Sequence, residues 1–173
     1  MFRTSLILMS SLLAAGCVSA SAAVQPEWVL RPDGAGPVRV GMTLEAAGRV
    51  LGESLRADYD VFEGCDFVVP ATAPLGVSLM VLSDTVVRVD IDTGAVATHE
   101  GIRIGDTEAR VLEAYRGQVT VDAHPYGGPV WHYLIVDPPG DTLHRMIFET
   151  DGTRVTSLRA GLRDAVDLIE GCA

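Results

Sequence analysis

The sequence predicts an α+β protein: two tandem repeats, each a short helix packed on a three- to four-stranded antiparallel sheet. Three observations carry this. Arg39-Val40-Gly41-Met42-Thr43-Leu44-Glu45-Ala46 recurs 64 residues later as Arg103-Ile104-Gly105-Asp106-Thr107-Glu108-Ala109. Each copy runs into a short segment with one apolar face, then into stretches of period two. After a leader is set aside, roughly 150 residues remain, enough for one compact domain or two small ones. The division expected is 1–22 as an export signal and the start of a tether, 23–98 as the first repeat, and 99–173 as the second repeat with a C-terminal tail.

The leader reads MFRTSLILMSSLLAAGC, with an early charge at Arg3, an apolar run from Leu6 to Ala15, and then Gly16-Cys17. Such a charged start, short apolar stretch and small-residue end make an export signal. The run is too short to anchor by spanning a bilayer. The ending Leu13-Ala14-Ala15-Gly16-Cys17 resembles the lipobox of bacterial lipoproteins, which implies cleavage before Cys17 and a diacylglycerol on its thiol. The alternative is ordinary cleavage after Ala20-Ser21-Ala22, giving a soluble periplasmic or secreted protein.

In each repeat Gly allows a sharp turn and Thr43 or Thr107 can cap a helix by accepting a backbone N–H. Glu45 and Glu108 then fall in a first turn, where the helix dipole favours negative charge. The first helix extends through Val50-Leu51 to Gly52; the second carries Val111, Leu112 and Tyr115 and stops near Gly117. Strands are expected at 65–69, 77–82 and 86–91 in the first repeat, with Ser83-Asp84 as a tight turn. The second repeat should hold strands at 131–136, 143–149 and 153–158, with Asp151-Gly152 as the stronger hairpin signal. Residues 94–101 join the repeats, 138–141 form a loop, and a last helix covers 164–169.

The chain carries 13 basic against 23 acidic residues, a formal net charge of −10. Every basic residue is Arg, and there is no Lys or Asn, the codon bias of a GC-rich bacterial genome. Absence of lysine excludes lysine Schiff-base and lysine-base mechanisms. An acidic surface repels nucleic acid and anionic headgroups, so neither is an expected partner. The cysteines are Cys17, Cys65 and Cys172. With Cys17 lipidated, an even pair remains in an oxidising compartment, which argues for a Cys65–Cys172 disulfide.

The order Gly41-Met42-Thr43, short helix, Leu51-Gly52, antiparallel strands resembles the small outer-membrane lipoproteins of the BamE (SmpA/OmlA) family. Doubled, with Gly105-Asp106-Thr107 and Leu112, it resembles the β-lactamase inhibitor protein family, a tandem of the same unit. The resemblance spans most of residues 37–160 on a motif of a few residues. It implies an α+β domain, no cofactor, and action by protein binding. Each repeat of that inhibitor carries its own disulfide, whereas this chain has one pair spanning both, and no contact residue is carried over. Residues 101–106, 148–152 and 170–172 also resemble exported bacterial proteins of uncharacterised function.

Four segments begin like motifs that carry chemistry, and each departs from its pattern. His99-Glu100-Gly101-Ile102-Arg103 lacks the second His of a zinc helix. Asp90-Ile91-Asp92-Thr93-Gly94 has Gly94 for the third acid of a calcium loop, and Gly101 where its bidentate Glu belongs. Gly34-Ala35-Gly36 lacks the third glycine of a dinucleotide fingerprint, and Met80 stands where a nucleophile elbow after Ser78 needs glycine. No metal or cofactor is expected.

Tyr126, Trp131 and Tyr133, with His124 and His132, form the candidate partner-binding cluster. The expected function is non-enzymatic protein binding at the cell envelope, as an assembly accessory or an enzyme inhibitor. The expected location is the outer membrane, facing the periplasm and held by the lipid on Cys17. Two alternatives stay open. One is a carbohydrate-binding module using the same aromatics. The other is a hydrolase around His124, His132 and His144, in which pairing of 131–136 with 143–149 brings His132 and His144 together.

Overall fold

The computed structural model describes residues 27–60 and 62–173; the leader and Cys17 lie outside the described residues. The chain is α+β and mostly sheet. Strands β1 (Val29–Arg31), β2 (Gly34–Ala35) and β3 (Val38–Arg39) lead into α1 (Leu44–Leu51), followed by β4 (Cys65–Val68), β5 (Val77–Leu82), β6 (Thr85–Ile91) and β7 (Ala97–Thr98). Then come α2 (Glu108–Ala114), β8 (Val119–Ala123), β9 (His132–Val136), β10 (His144–Thr150), β11 (Val155–Leu162) and α3 (Arg163–Val166). No helix among the described residues is long and apolar enough to cross a membrane.

Seven strands form one sheet in the order β4-β5-β6-β11-β10-β9-β8, antiparallel throughout. The first three strands follow α1 and the other four follow α2. They meet where β6 pairs with β11, Leu158 opposite Ile91 and Gly161 opposite Arg88. A second, small sheet orders β3-β2-β1-β7, with β1 and β7 parallel. It was not foreseen, because its two- and three-residue strands are too short to show a period.

Both helices begin alike. Thr43 Oγ1 accepts from Ala46 N–H and Thr107 Oγ1 from Arg110 N–H. Gly41 N–H donates to Val86 O at 2.8 Å, and Gly105 N–H to Val155 O at 2.9 Å. Val86 N–H returns to Met42 O, and Val155 N–H to Asp106 O, each at 2.9 Å. Gly41 and Gly105 hold φ of 87° and 88°, the left-handed region that only Gly enters without strain. The Gly-x-Thr segment thus splices each helix onto a sheet strand far along the chain.

One sheet face packs on both helices. Leu44 and Ala47 of α1, and Val111 with Tyr115 after α2, join Leu79, Val89, Leu134, Met146 and Phe148 in one apolar cluster. At Gly48 a Cβ would lie 2.6 Å from Glu53 O, because the chain leaving α1 crosses back over the helix there. The opposite face carries α3, with Ala165 against Met80 and Val87, and Val166 against Tyr133 and Ile147. Cys65 and Cys172 form a disulfide, Cα atoms 5.5 Å apart and 107 residues apart in sequence. It fastens the tail to the outer strand β4 of this second face.

Candidate functional site

The second face is where the sequence-predicted cluster lies, and where charged side chains enter an otherwise apolar sheet. Period two places Ser78, Asp90 and Arg159 in one cross-strand row, and Ser157, Glu149 and Tyr133 in the next. Arg88 and Arg159 are buried, 4% and 5% exposed. Arg88 Nε donates to Asp90 Oδ2 at 2.8 Å, and its guanidinium lies 5.4 Å from the Phe67 ring centroid. Arg159 pairs with Glu149 and stacks 4.9 Å over the Tyr133 ring. Such charges survive burial only when paired and hydrogen-bonded. Burial pushes the Asp90 carboxyl above its ordinary range, with Arg88 pulling the other way. Burial also raises the Tyr133 phenol, so it remains a neutral hydroxyl.

Between these rows and the tail lies a groove of about 260 Å³, lined by Phe67, Ser78, Arg88, Asp90, Asp92, Glu149, Ser157, Arg159 and Ile169, among others. Its size suits a side chain or a small ligand. A larger hollow of about 860 Å³ runs along α1, but it is bordered by the exposed Glu45–Arg49 ion pair and lined by no aromatic residue. It lacks the anchors that concentrate binding energy.

The structure gathers three of the five predicted residues. The His124 ring lies 4.6 Å from Tyr133 and 5.6 Å from Trp131, centroid to centroid, edge-on to both. His124 Nδ1 accepts from the amides of Gly127 at 2.9 Å and Tyr126 at 3.2 Å. Accepting at Nδ1 leaves the hydrogen of the neutral ring on Nε2, which faces Glu149 Oε2 at 3.5 Å. The loop 124–131 is thereby tied to the groove wall. Tyr126 stands apart from the rings, 68% exposed, and its hydroxyl donates to Glu170 on the tail. That bond raises the phenol's pKa.

His132 does not join them. It sits one residue before Tyr133 and so faces the helices, its Nδ1 2.9 Å from Glu108 Oε1 at the start of α2. Nor does it approach His144. β9 and β10 do pair, but Thr150 stands opposite His132 and Leu162 opposite His144, at the two ends of β10. His144 Nδ1 instead bonds Asp141 at 2.8 Å. The expected meeting of 131–136 with 143–149 was right about pairing and wrong about register: the antiparallel hairpin has its turn at the His144 end.

Sequence reasoning missed Arg88, Arg159, Glu149 and Phe67, and read Asp90 and Asp92 only as an incomplete calcium loop. The signal was present for Arg88: an arginine inside an apolar β-branched run, as in Val86-Val87-Arg88-Val89, is a buried charge that requires a partner. Among the described residues no three His, Cys, Asp or Glu side chains converge as metal ligands. No protein-family model, curated protein or solved structure matches this chain.

Proposed function

We propose that this chain is an exported, lipid-anchored envelope protein that acts by binding another protein, as an assembly accessory or an enzyme inhibitor, without catalysis or cofactor. Its domain is a tandem of one unit, helix then antiparallel strands, and the paired Gly-x-Thr contacts at Thr43 and Thr107 support that reading. The location that follows from the leader is the outer membrane, facing the periplasm, with Cys17 as the lipid-bearing residue.

One observation carries the binding reading. Both longer helices cover one sheet face, and the other face presents Phe67, Tyr126 and Trp131, 36%, 68% and 39% exposed, beside a groove floored with charge. Large aromatic side chains around a partly desolvated centre are the composition of a protein interface.

The test is capture of envelope proteins on the immobilised protein, wild type beside Tyr126→Ala/Trp131→Ala. The reading predicts a discrete partner that the double variant loses, with the fold unchanged by circular dichroism. Undiminished capture by the double variant would contradict it, and glycan binding lost on the same substitutions would favour a carbohydrate-binding module. For the anchor, Cys17→Ser should move the protein from the membrane to the soluble fraction or leave it unprocessed; a natural mature terminus at Ala23 would contradict lipidation.

A further inference from the structure

We infer that the groove receives a single basic side chain, arginine or lysine, presented on an extended segment of the protein partner. The inference rests on the protein-binding reading above and names what enters the site.

Charge accounting leads to it. Arg88 is matched by Asp90, and Arg159 by Glu149. Asp92, exposed at the groove's edge one strand position beyond Ile91, has no ion pair or side-chain hydrogen bond among the described residues. One negative charge is therefore in surplus. The signs are also layered by depth. The arginine side chains are 4% and 6% exposed, whereas those of Asp90 and Glu149 are 23% and 24% exposed. An arriving group meets carboxylates first, so a cation is drawn in and an anion repelled.

The walls fit the rest of such a side chain. Phe67 and Ile169 offer apolar surface for a methylene stem, the part of Arg or Lys that packs while its head stays polar. A basic side chain brings its backbone with it, and Ser78 and Ser157 line the groove as two hydroxyls able to hydrogen-bond the incoming segment. At about 260 Å³ the groove admits a side chain and its peptide unit, not a folded element.

The experiment follows amide shifts by NMR in the disulfide-bonded protein. The probes are two blocked pentapeptides, glycine throughout except for a central arginine or a central glutamate. The arginine peptide should shift the Asp92 and Ser157 amides at millimolar concentration, and the glutamate peptide should not. Asp92→Asn should weaken the arginine peptide about threefold to fivefold, the size of one solvent-exposed ion pair. Raised salt should weaken it as well. A silent arginine peptide, a stronger response to glutamate, or an unchanged affinity in Asp92→Asn would overturn the inference. Partner capture separates the two readings. If wild type still captures a partner that Tyr126→Ala/Trp131→Ala loses, protein binding stands while the basic side chain is rejected; if capture fails as well, both fall.

Discussion

Arg88 on β6 and Arg159 on β11 hold the same C-terminal segment from beneath. Arg88 Nη1 donates to Ala165 O and Leu168 O, both at 2.8 Å, and Arg159 Nε donates to Val166 O at 2.7 Å. These carbonyls belong to α3 and the turn after it. Ala165 O and Leu168 O also accept from the amides of Leu168 and Gly171, each at 3.3 Å, so the two buried guanidinium groups add donors where the helix ends. The disulfide closes the tail just beyond them.

Removing one of these arginines should be severe. Arg88→Met takes the guanidinium away from Ala165 O and Leu168 O and leaves Asp90 without its cation. Breaking a buried pair in this one-sided way costs about 3–5 kcal/mol. Urea unfolding at neutral pH should show that loss, and limited proteolysis should cut first within 165–173.

The disulfide should matter through the unfolded chain. A cross-link enclosing 107 residues removes loop entropy equivalent to about 4–5 kcal/mol in the chain-entropy model. Cys172→Ser should lower the unfolding temperature and expose the tail to protease, while the sheet's circular dichroism persists. Two alkylatable thiols at Cys65 and Cys172 in the native, unreduced protein would contradict the bridge.

Gly48→Ala should destabilise, against propensity. In a helix interior Ala is better than Gly by about 1 kcal/mol. Here a Cβ would meet Glu53 O at 2.6 Å, and backbone cannot swing aside as a side chain would. The overpacking cost of about 1–3 kcal/mol outweighs the propensity gain. A higher melting temperature in Gly48→Ala would show that residues 53–55 do not cross the helix this closely.

Much of this architecture was legible in the sequence. The Gly-x-Thr segments located both helix starts, because cap and turn chemistry are local. Val77–Leu82 was read to the residue, since an apolar run bounded by Gly76 and Ser83-Asp84 admits one placement. Ser83 and Asp84 do take positive φ, 46° and 62°. Strand β8 was missed: four of its five residues are exposed at the sheet edge, so no buried face marks it. The site was legible in its aromatics, but not in its charges. The Arg88–Asp90 pair is local, two residues apart on β6, whereas Arg159 comes beside Asp90 only through the β6–β11 register, a long-range pairing that no local pattern states.

Two acids should give opposite pH signatures. Glu53 accepts from the Thr72 hydroxyl and from the amides of Thr72 and Ala71, and its pKa is lowered, chiefly by the Thr72 side chain. Its contribution to stability is present above the unfolded value and is lost as pH falls through the lower folded value. Amide exchange at Ala71 and Thr72, corrected for its intrinsic pH dependence, should accelerate there, and Glu53→Gln should flatten the change. Asp90, raised by burial, binds its proton more tightly in the native state, so its own contribution grows as pH falls through that window. Asp90→Asn should therefore steepen the loss of stability on the acid side.

Photo-crosslinking in living cells tests the docking face most directly. A photoreactive amino acid placed at Trp131 lies on the proposed face, and one placed at Val50, 46% exposed on α1, lies on the helix-covered side. The account predicts a discrete crosslinked protein from position 131 and none from position 50. A crosslink from position 50 alone, or the same product from both positions, would contradict binding through the groove face.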